Sequence, residues 1–433
     1  MRKFFIFILL IICAFASNTL LAQESSMPIC PPNVVGSGAR AKGIGDAFIA
    51  IADDATAASW NPAGLVQLQK PELSFVLSYD HRSLKAKSGI YQELGGAVES
   101  KEKINLTDLN YLSIVYPFSI ARRNITFSLN YQRLYDFTRD LKMKVPWGDP
   151  NTSMEFFYKG EGSLYSISPA AAIQINPDFY CGITTNIWSD KFTKQSNWEN
   201  KITYQYFGDS NNTFCGVEKF QDFEAINANL GFFWIPSSYF TIAGVYKTPF
   251  QAKVKRKTVM PTGSPEQDIY GDINRIKFPP VYGLGAASRI SDSLTLSLDI
   301  TRTDWDKYEI KNKKGDAFGL FTDASDPNAI IYPTVKPTYS IRFGIEYLKI
   351  LEKTVIPLRG GFFYDPLPSK NNPQDVYGLT IGTGISVGDF IIDIAYQYHF
   401  IDNVPGDEAG LSLENIYVDE WFHQVLLSGI YHF

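Results

Sequence analysis

The strongest constraint on this chain is a two-residue period that recurs along almost its whole length. In 293–301, Leu294, Leu296, Leu298 and Ile300 alternate with Thr295, Ser297 and Asp299. In 338–347, Tyr339, Ile341, Phe343, Ile345 and Tyr347 alternate with Ser340, Arg342, Gly344 and Glu346. In 389–400 the apolar set is Phe390, Ile392, Ile394, Tyr396, Tyr398 and Phe400, with Asp393, Gln397 and His399 opposite. Such alternation marks strands with one apolar and one polar face. Comparable runs fall near 72–80, 109–117, 124–134, 163–175, 179–188, 224–234, 239–247, 281–289, 354–364, 376–387 and 422–433, which makes about fourteen.

The connections alternate as well. Asn176-Pro177-Asp178, Pro236-Ser237-Ser238, Ser291-Asp292 and Gly388-Asp389 are short turns after even-numbered strands, whereas 135–162, 189–223, 248–280, 302–337 and 401–421 are long polar loops after odd ones. Short turns on one side and long loops on the other, with an even strand count, are expected of a bacterial outer-membrane barrel. A soluble β-sandwich has no reason to keep that rhythm. The chain is 15% aromatic, yet beyond the N-terminus no stretch approaches the roughly 20 apolar residues of a transmembrane helix. Only a closed barrel pairs every backbone group of strands in lipid. The expected fold is therefore all-β: a transmembrane outer-membrane β-barrel of about fourteen antiparallel strands.

Both ends fit export. Arg2 and Lys3 precede an apolar run, Phe4 to Ala16, and small residues give cleavage points after Ala16 or Ala22. Residues 1–22 are expected to be a signal peptide, 23–70 an N-terminal segment and 71–433 the barrel. The closing strand ends on Phe433, a terminal aromatic of the kind that the outer-membrane assembly machinery reads. Val425, Leu427, Gly429, Tyr431 and Phe433 would form its lipid face, pairing with the first strand near Leu73 to Tyr79.

The whole chain has a formal charge of -5. Without Arg2 and Lys3 it nears -7, with 38 basic against 45 acidic residues, which argues against nucleic acid as a partner. Cys30, Cys181 and Cys215 remain after the signal, enough for one disulfide, in a spacing that matches no zinc pattern. No metal or cofactor is expected.

Residues 34–68 break the period. Small residues dominate, helical stretches are predicted around Ala41–Ala52 and Ala55–Ser59, and Asn61-Pro62 marks a turn. A barrel of this size has an interior that wall side chains do not fill, and this Gly/Ala-rich segment suits a plug. Its Gly36-Ser37-Gly38 to Lys42-Gly43 stretch follows no strand and lacks the Gly-Lys-Ser/Thr order of a phosphate loop. Asp53 and Asp54, being adjacent, point to different sides of a helix and read as solvated or capping residues.

Gly38-Ala-Arg-Ala-Lys-Gly-Ile-Gly-Asp-Ala-Phe48, Ala52-Asp-Asp-Ala-Thr-Ala57 and Trp60-Asn61-Pro62-Ala63-Gly64 resemble the signature of the FadL-type outer-membrane channels for long-chain fatty acids and aromatic hydrocarbons. Ile242 to Phe250, Leu298 to Trp305 and Leu358 to Pro366 are similar to further family segments. The resemblance implies that the N-terminal segment is a hatch carrying the Asn61-Pro62-Ala63 turn. It also implies uptake of hydrophobic molecules by loop capture, transfer to an inner site, hatch rearrangement and lateral exit through the wall. Two departures stand out. The family's side opening uses a distorted third strand, but Asn124 to Leu134 contains neither Gly nor Pro, which places any opening elsewhere, Gly160, Gly162 and Pro169 lying around the next strand. Residues Gln23 to Val35 align with nothing.

Asp299, Arg342, Glu346, Arg359 and Asp393 are expected to face the lumen. Arg342 or Arg359 suits a ligand carboxylate, with Glu346 and Asp299 as further candidate contacts; the alternative is a charge network that lines the wall or pins the hatch. The loop aromatics Trp147, Phe156, Phe157, Tyr158, Trp198, Tyr204, Tyr206, Phe318 and Phe321 suit either a greasy landing site or loop-to-loop packing. Catalysis is not expected, because His81, His399, His423 and His432 accompany no serine-centred motif. The barrel is expected as a monomer among outer-membrane lipid and lipopolysaccharide. A role as an attachment or shuttle component in protein secretion is the alternative reading.

Overall fold

The computed structural model describes residues 37–433 except 89–98, 147–152, 194–195, 208–212, 260–272, 312–316, 320–334, 370–373 and 406–415. Its strand segments merge into fourteen barrel strands. These are β1 (Glu72–Ser88), β2 (Glu99–Ile120), β3 (Arg123–Asp136, continued as Arg139–Pro146), β4 (Ser153–Asn176) and β5 (Phe179–Ser189, continued as Asn197–Phe207). Then come β6 (Thr213–Ser237), β7 (Phe240–Lys247, continued as Phe250–Val259), β8 (Ile273–Phe278, continued as Val281–Ser291) and β9 (Leu294–Thr303). The circuit ends with β10 (Thr338–Ile350), β11 (Val355–Tyr364), β12 (Tyr377–Val387), β13 (Phe390–Pro405) and β14 (Ile416–His432). Each strand pairs antiparallel with the next, and β14 returns to β1 with Tyr431 opposite Leu73 and Val425 opposite Tyr79, which closes the barrel as expected.

The apolar face of each strand points outward. Leu73, Phe75, Leu77 and Tyr79 of β1 and Tyr339, Ile341, Phe343, Ile345 and Tyr347 of β10 are all exposed, forming the belt that lipid covers. The polar face, including Asp299, Glu346, Arg359 and Asp393, is buried inside.

The strands outrun the membrane, and where they do the pattern inverts. Along β7, Phe250, Ala252 and Val254 are buried while Gln251, Lys253 and Lys255 are exposed. In the continuation of β3, Leu141 and Met143 are buried while Lys142 and Lys144 are exposed. Water rather than lipid lies outside this part of the wall, so polar residues face out and apolar ones form an inner core. Much of the sequence expected to be long loops is therefore barrel wall, including 139–146, 153–162, 197–207, 213–223, 250–259 and 273–278.

Residues 37–68 run inside the barrel. Two short helices, α1 (Ala39–Gly43) and α2 (Ala57–Trp60), and a 3-10 turn (Pro62–Gln67) replace the longer helix predicted over Ala41–Ala52. Gly45 and Asp46 take left-handed conformations (φ 69° and 61°), which ends α1. The turn keeps the chain against the wall: a Cβ on Gly45 would sit 3.0 Å from both the Phe343 carbonyl oxygen and the Phe362 nitrogen. Phe48, Trp60, Leu65 and most alanines of this hatch pack with Val115, Phe233, Ala243 and Val245 of the wall as one core.

Candidate functional site

The hatch is held by three sets of contacts. The first is a glycine-lined seat. Gly182 of β5 lies directly opposite Gly231 of β6, and a Cβ on them would reach within 2.3 Å of the Pro62 carbonyl carbon and 2.0 Å of Asn61 Oδ1, respectively. The Asn61 side chain donates to the Ile49 and Phe232 carbonyls, both at 3.1 Å, and accepts from the Ala63 backbone N–H. Trp60 Nε1 donates to the Ser37 carbonyl, and Gly64 fits because a Cβ there would overlap the Ala52 carbonyl. The predicted turn motif is thus a docking element.

The second set is ionic. Glu346 accepts from Arg40 of the hatch at 2.9 and 3.0 Å and from Arg359 at 2.6 Å, and Arg359 also donates to Asp393 at 2.6 Å. Arg40 pairs in addition with Asp53. The third set is wall-to-backbone. Asp299 accepts the Ile49 N–H at 2.8 Å, Glu72 the Ala55 N–H at 2.9 Å, and Tyr111 and Thr184 donate to the carbonyls of Ala55 and Ala58. Asp54 caps its own turn through the Thr56 N–H, and burial followed by the Glu72 carboxylate raises its pKa to about 7. Of the four candidate lumen contacts, Arg359, Glu346 and Asp299 thus lie in contacts with the hatch or with each other. Arg342 does not.

Arg342 faces a cavity of about 130 Å³ above the hatch. Lys42, Asp46, Ile49 and Trp60 contribute from the hatch; Val245, Val281, Trp305, Phe363 and Ile401 give it an apolar wall. Most charges that line it are paired: Lys42 with Asp46 at 2.6 Å, Arg82 with Asp136 at 2.9 Å and Arg342 with Asp365 at 2.7 Å. Arg342 spends one terminal nitrogen on that pair. Lys247 also lines the cavity and has no hydrogen bond or ion pair among the described residues. Glu420, on the opposite wall, lies within electrostatic reach of His399. Lys247 was not singled out by sequence, although its place at the end of the Ile242–Phe250 segment marks a lumen position.

Aromatic side chains form a core that reaches Trp305 of the cavity wall. Phe137, Trp198 and Phe220 stack at 4.6 and 4.5 Å, and Trp188, Phe250 and Phe278 at 5.4 and 4.5 Å. Trp198, Phe156 and Tyr158 are buried, so these loop aromatics pack on their neighbours; Phe157 and Tyr206 are half-buried. Trp147 and Phe321, and the side chains of Tyr204 and Phe318, lie outside the described residues. So do Cys30 and residues 1–22, where a signal peptide is expected; Cys181 and Cys215 are free thiols.

Among the described residues the wall has a seam beside the cavity. β2 and β3 pair from Ile120–Arg123 to Tyr111–Gln132 and no further. Beyond that point, among the described residues, the ladders of β2 run to β1 and those of β3 to β4, while β2 and the continuation of β3 stay side by side. Contrary to the sequence expectation, the third strand is irregular without Gly or Pro: it bulges between Arg133 and Tyr135 and breaks at 137–138. The Arg133 side chain, fully buried, bridges the seam to Asp108 of β2 at 3.2 Å and also pairs with Asp136 at 2.8 Å. Asp136 and Asp80, 3.8 Å from Arg133, line the cavity.

A family model described as outer membrane protein transport protein (OMPP1/FadL/TodX) matches residues 35–418. Among solved structures, a Pseudomonas aeruginosa FadL homologue is 17% identical, with 92% of this chain and 98% of that one covered and a TM-score of 0.61. The Ralstonia pickettii toluene transporter TbuX is 13% identical over 93% and 99%, TM-score 0.59. The Pseudomonas putida toluene transporter TodX is 13% identical over 92% and 98%, TM-score 0.55. No curated protein matches the chain. The chain belongs to this family of outer-membrane transport proteins.

Proposed function

We propose that this member of the outer-membrane transport family takes up a hydrophobic molecule with an acidic head group, of which long-chain fatty acids are the natural class. The observation that carries this reading is Lys247, a cation near Arg342 that has no partner among the described residues in a cavity whose other charges are mostly paired. A half-buried charge without a partner keeps part of its desolvation cost, and a carboxylate resting between an ammonium and a guanidinium relieves that cost. Glu420 on the far wall repels the same group, so the acid end points toward β7 and β10 while the tail lies against Trp305, Val281 and Phe363. An aromatic hydrocarbon, the cargo named for TbuX and TodX, gains nothing from these charges.

Release proceeds past Arg133. The ladder between β2 and β3 ends about ten residues from the inner turn, close to the span that crosses the hydrocarbon layer. The seam therefore opens at the outer edge of the lipid, where a tail passes from the cavity into the membrane without entering bulk water. Hatch movement precedes this step, since Lys42, Asp46 and Trp60 are both hatch and cavity wall. Uptake of labelled long-chain fatty acid by cells with and without the protein tests the proposal. Unchanged uptake together with failed secretion of surface proteins would establish the shuttle role instead.

A further inference from the structure

The seam that closes the barrel carries a histidine pair on its outer surface. His81 of β1 lies directly opposite His423 of β14, with ring centroids 5.8 Å apart. Each ring is fixed through Nδ1: His81 donates to Asn105 Oδ1 at 2.7 Å, and His423 meets the Tyr396 hydroxyl at 2.7 Å. Asn105 Oδ1 also accepts from Tyr79 at 3.0 Å, so its position is set from both sides. Neither Nε2 has a partner among the described residues. Asn105 Oδ1 can only accept, so His81 carries its proton on Nδ1 and its lone pair on Nε2, the arrangement of a metal-ligating histidine and the group that orients it; the Tyr396 hydroxyl, which accepts as well as donates, allows His423 the same tautomer.

We propose that His81 and His423 form a binding site for a divalent transition metal of the zinc, copper and nickel class, bridging the first and last strands. The spacing fits. Two imidazoles that share an ion at about 2.1 Å in tetrahedral geometry have ring centroids roughly 5–6 Å apart. Imidazole nitrogen selects these metals over magnesium and calcium, which prefer oxygen. Both rings are partly exposed, so water completes the coordination. The ion is a staple: it ties β1 to β14 at the outer rim of the membrane, where the closing ladder meets the surface.

The test uses untagged protein, freed of metal by chelator and held in detergent. Nickel, zinc or copper is added, bound metal is measured by equilibrium dialysis, and barrel unfolding is followed by heat-modified gel mobility. A single ion per chain and a rise of several degrees in unfolding temperature are expected for the wild type, with both lost in His81→Ala and in His423→Ala. Asn105→Leu should weaken binding about tenfold or more without removing a ligand, and His432→Gln should leave it unchanged. Equal binding by wild type and the His81→Ala/His423→Ala double variant overturns the proposal, as does stabilisation by magnesium or calcium alone.

Discussion

Gly182 and Gly231 face each other across β5 and β6 and together form the notch that receives the Asn61-Pro62 turn. Neither needs an unusual backbone; each is small because hatch atoms occupy the place of its Cβ. Gly231→Ala therefore pushes directly on Asn61, whose three hydrogen bonds hold the turn. We expect a cost of about 1–3 kcal/mol and a measurable ion conductance through the purified protein in planar bilayers. Gly360→Ala, whose Cβ would meet nothing closer than 3.5 Å, is the matched control and should stay closed.

Glu346 holds the other side of the hatch. Glu346→Gln removes the charge shared by Arg40 and Arg359, while Arg359 keeps Asp393. Breaking one partner of a buried ion network costs about 3–5 kcal/mol. The expected readout is trypsin cleavage at Arg40 or Lys42 in the folded variant, at sites that the wild type protects. Protection equal to the wild type would show that the network lines the wall without anchoring the hatch.

Asp54 makes hatch seating pH-dependent. Its folded pKa, about 7, lies above the ordinary value of 3.8, so the folded state binds the proton more tightly than the unfolded one. The resulting stability is full below about pH 4 and is lost as pH rises through 7. Hatch proteolysis should accelerate from pH 5 to pH 8. Asp54→Asn, which keeps an acceptor for the Thr56 N–H, should flatten that profile; an unaltered slope assigns the effect to another group.

Much of this was legible in the sequence because lipid imposes a strict rule. Leu294 to Ile300 or Tyr339 to Tyr347 have one possible face for the membrane, so period, strand count and closure followed directly. The stretches beyond the membrane resemble loops in sequence because Lys253 and Lys255 or Lys142 and Lys144 look like solvated chain. The period persists there, but with its polarity reversed, and only the position of the water boundary reveals that. The hatch motif was found by resemblance, whereas its seat was not, since a glycine such as Gly182 or Gly231 in a strand gives no sign of what will fill its place. The β2–β3 seam leaves no mark in the sequence for a related reason. A bulge at Leu134 needs no Gly or Pro, and the unpaired edge is bridged by an arginine whose register position faces outward.

Arg133 should behave as the bar across that seam. Arg133→Ala leaves Asp108 and Asp136 without their shared cation and opens the wall beside the cavity. If release limits transport, fatty acid uptake rises several-fold in the variant when it is folded to wild-type levels, and Asp108→Asn gives a similar rise. A fall in uptake for both would place Arg133 in ligand binding instead.

Competing uptake measures most directly whether the cavity selects an acid. Cells that express wild type or Lys247→Met should be given a labelled long-chain fatty acid or a labelled monoaromatic hydrocarbon, at equal amounts of folded protein in the outer membrane. The loss of one charge-assisted contact, about 1.5–3 kcal/mol, predicts that Lys247→Met lowers fatty acid uptake about tenfold or more, with hydrocarbon entry unchanged. Fatty acid uptake equal to wild type in that variant, or transport of the hydrocarbon alone by the wild type, contradicts the account.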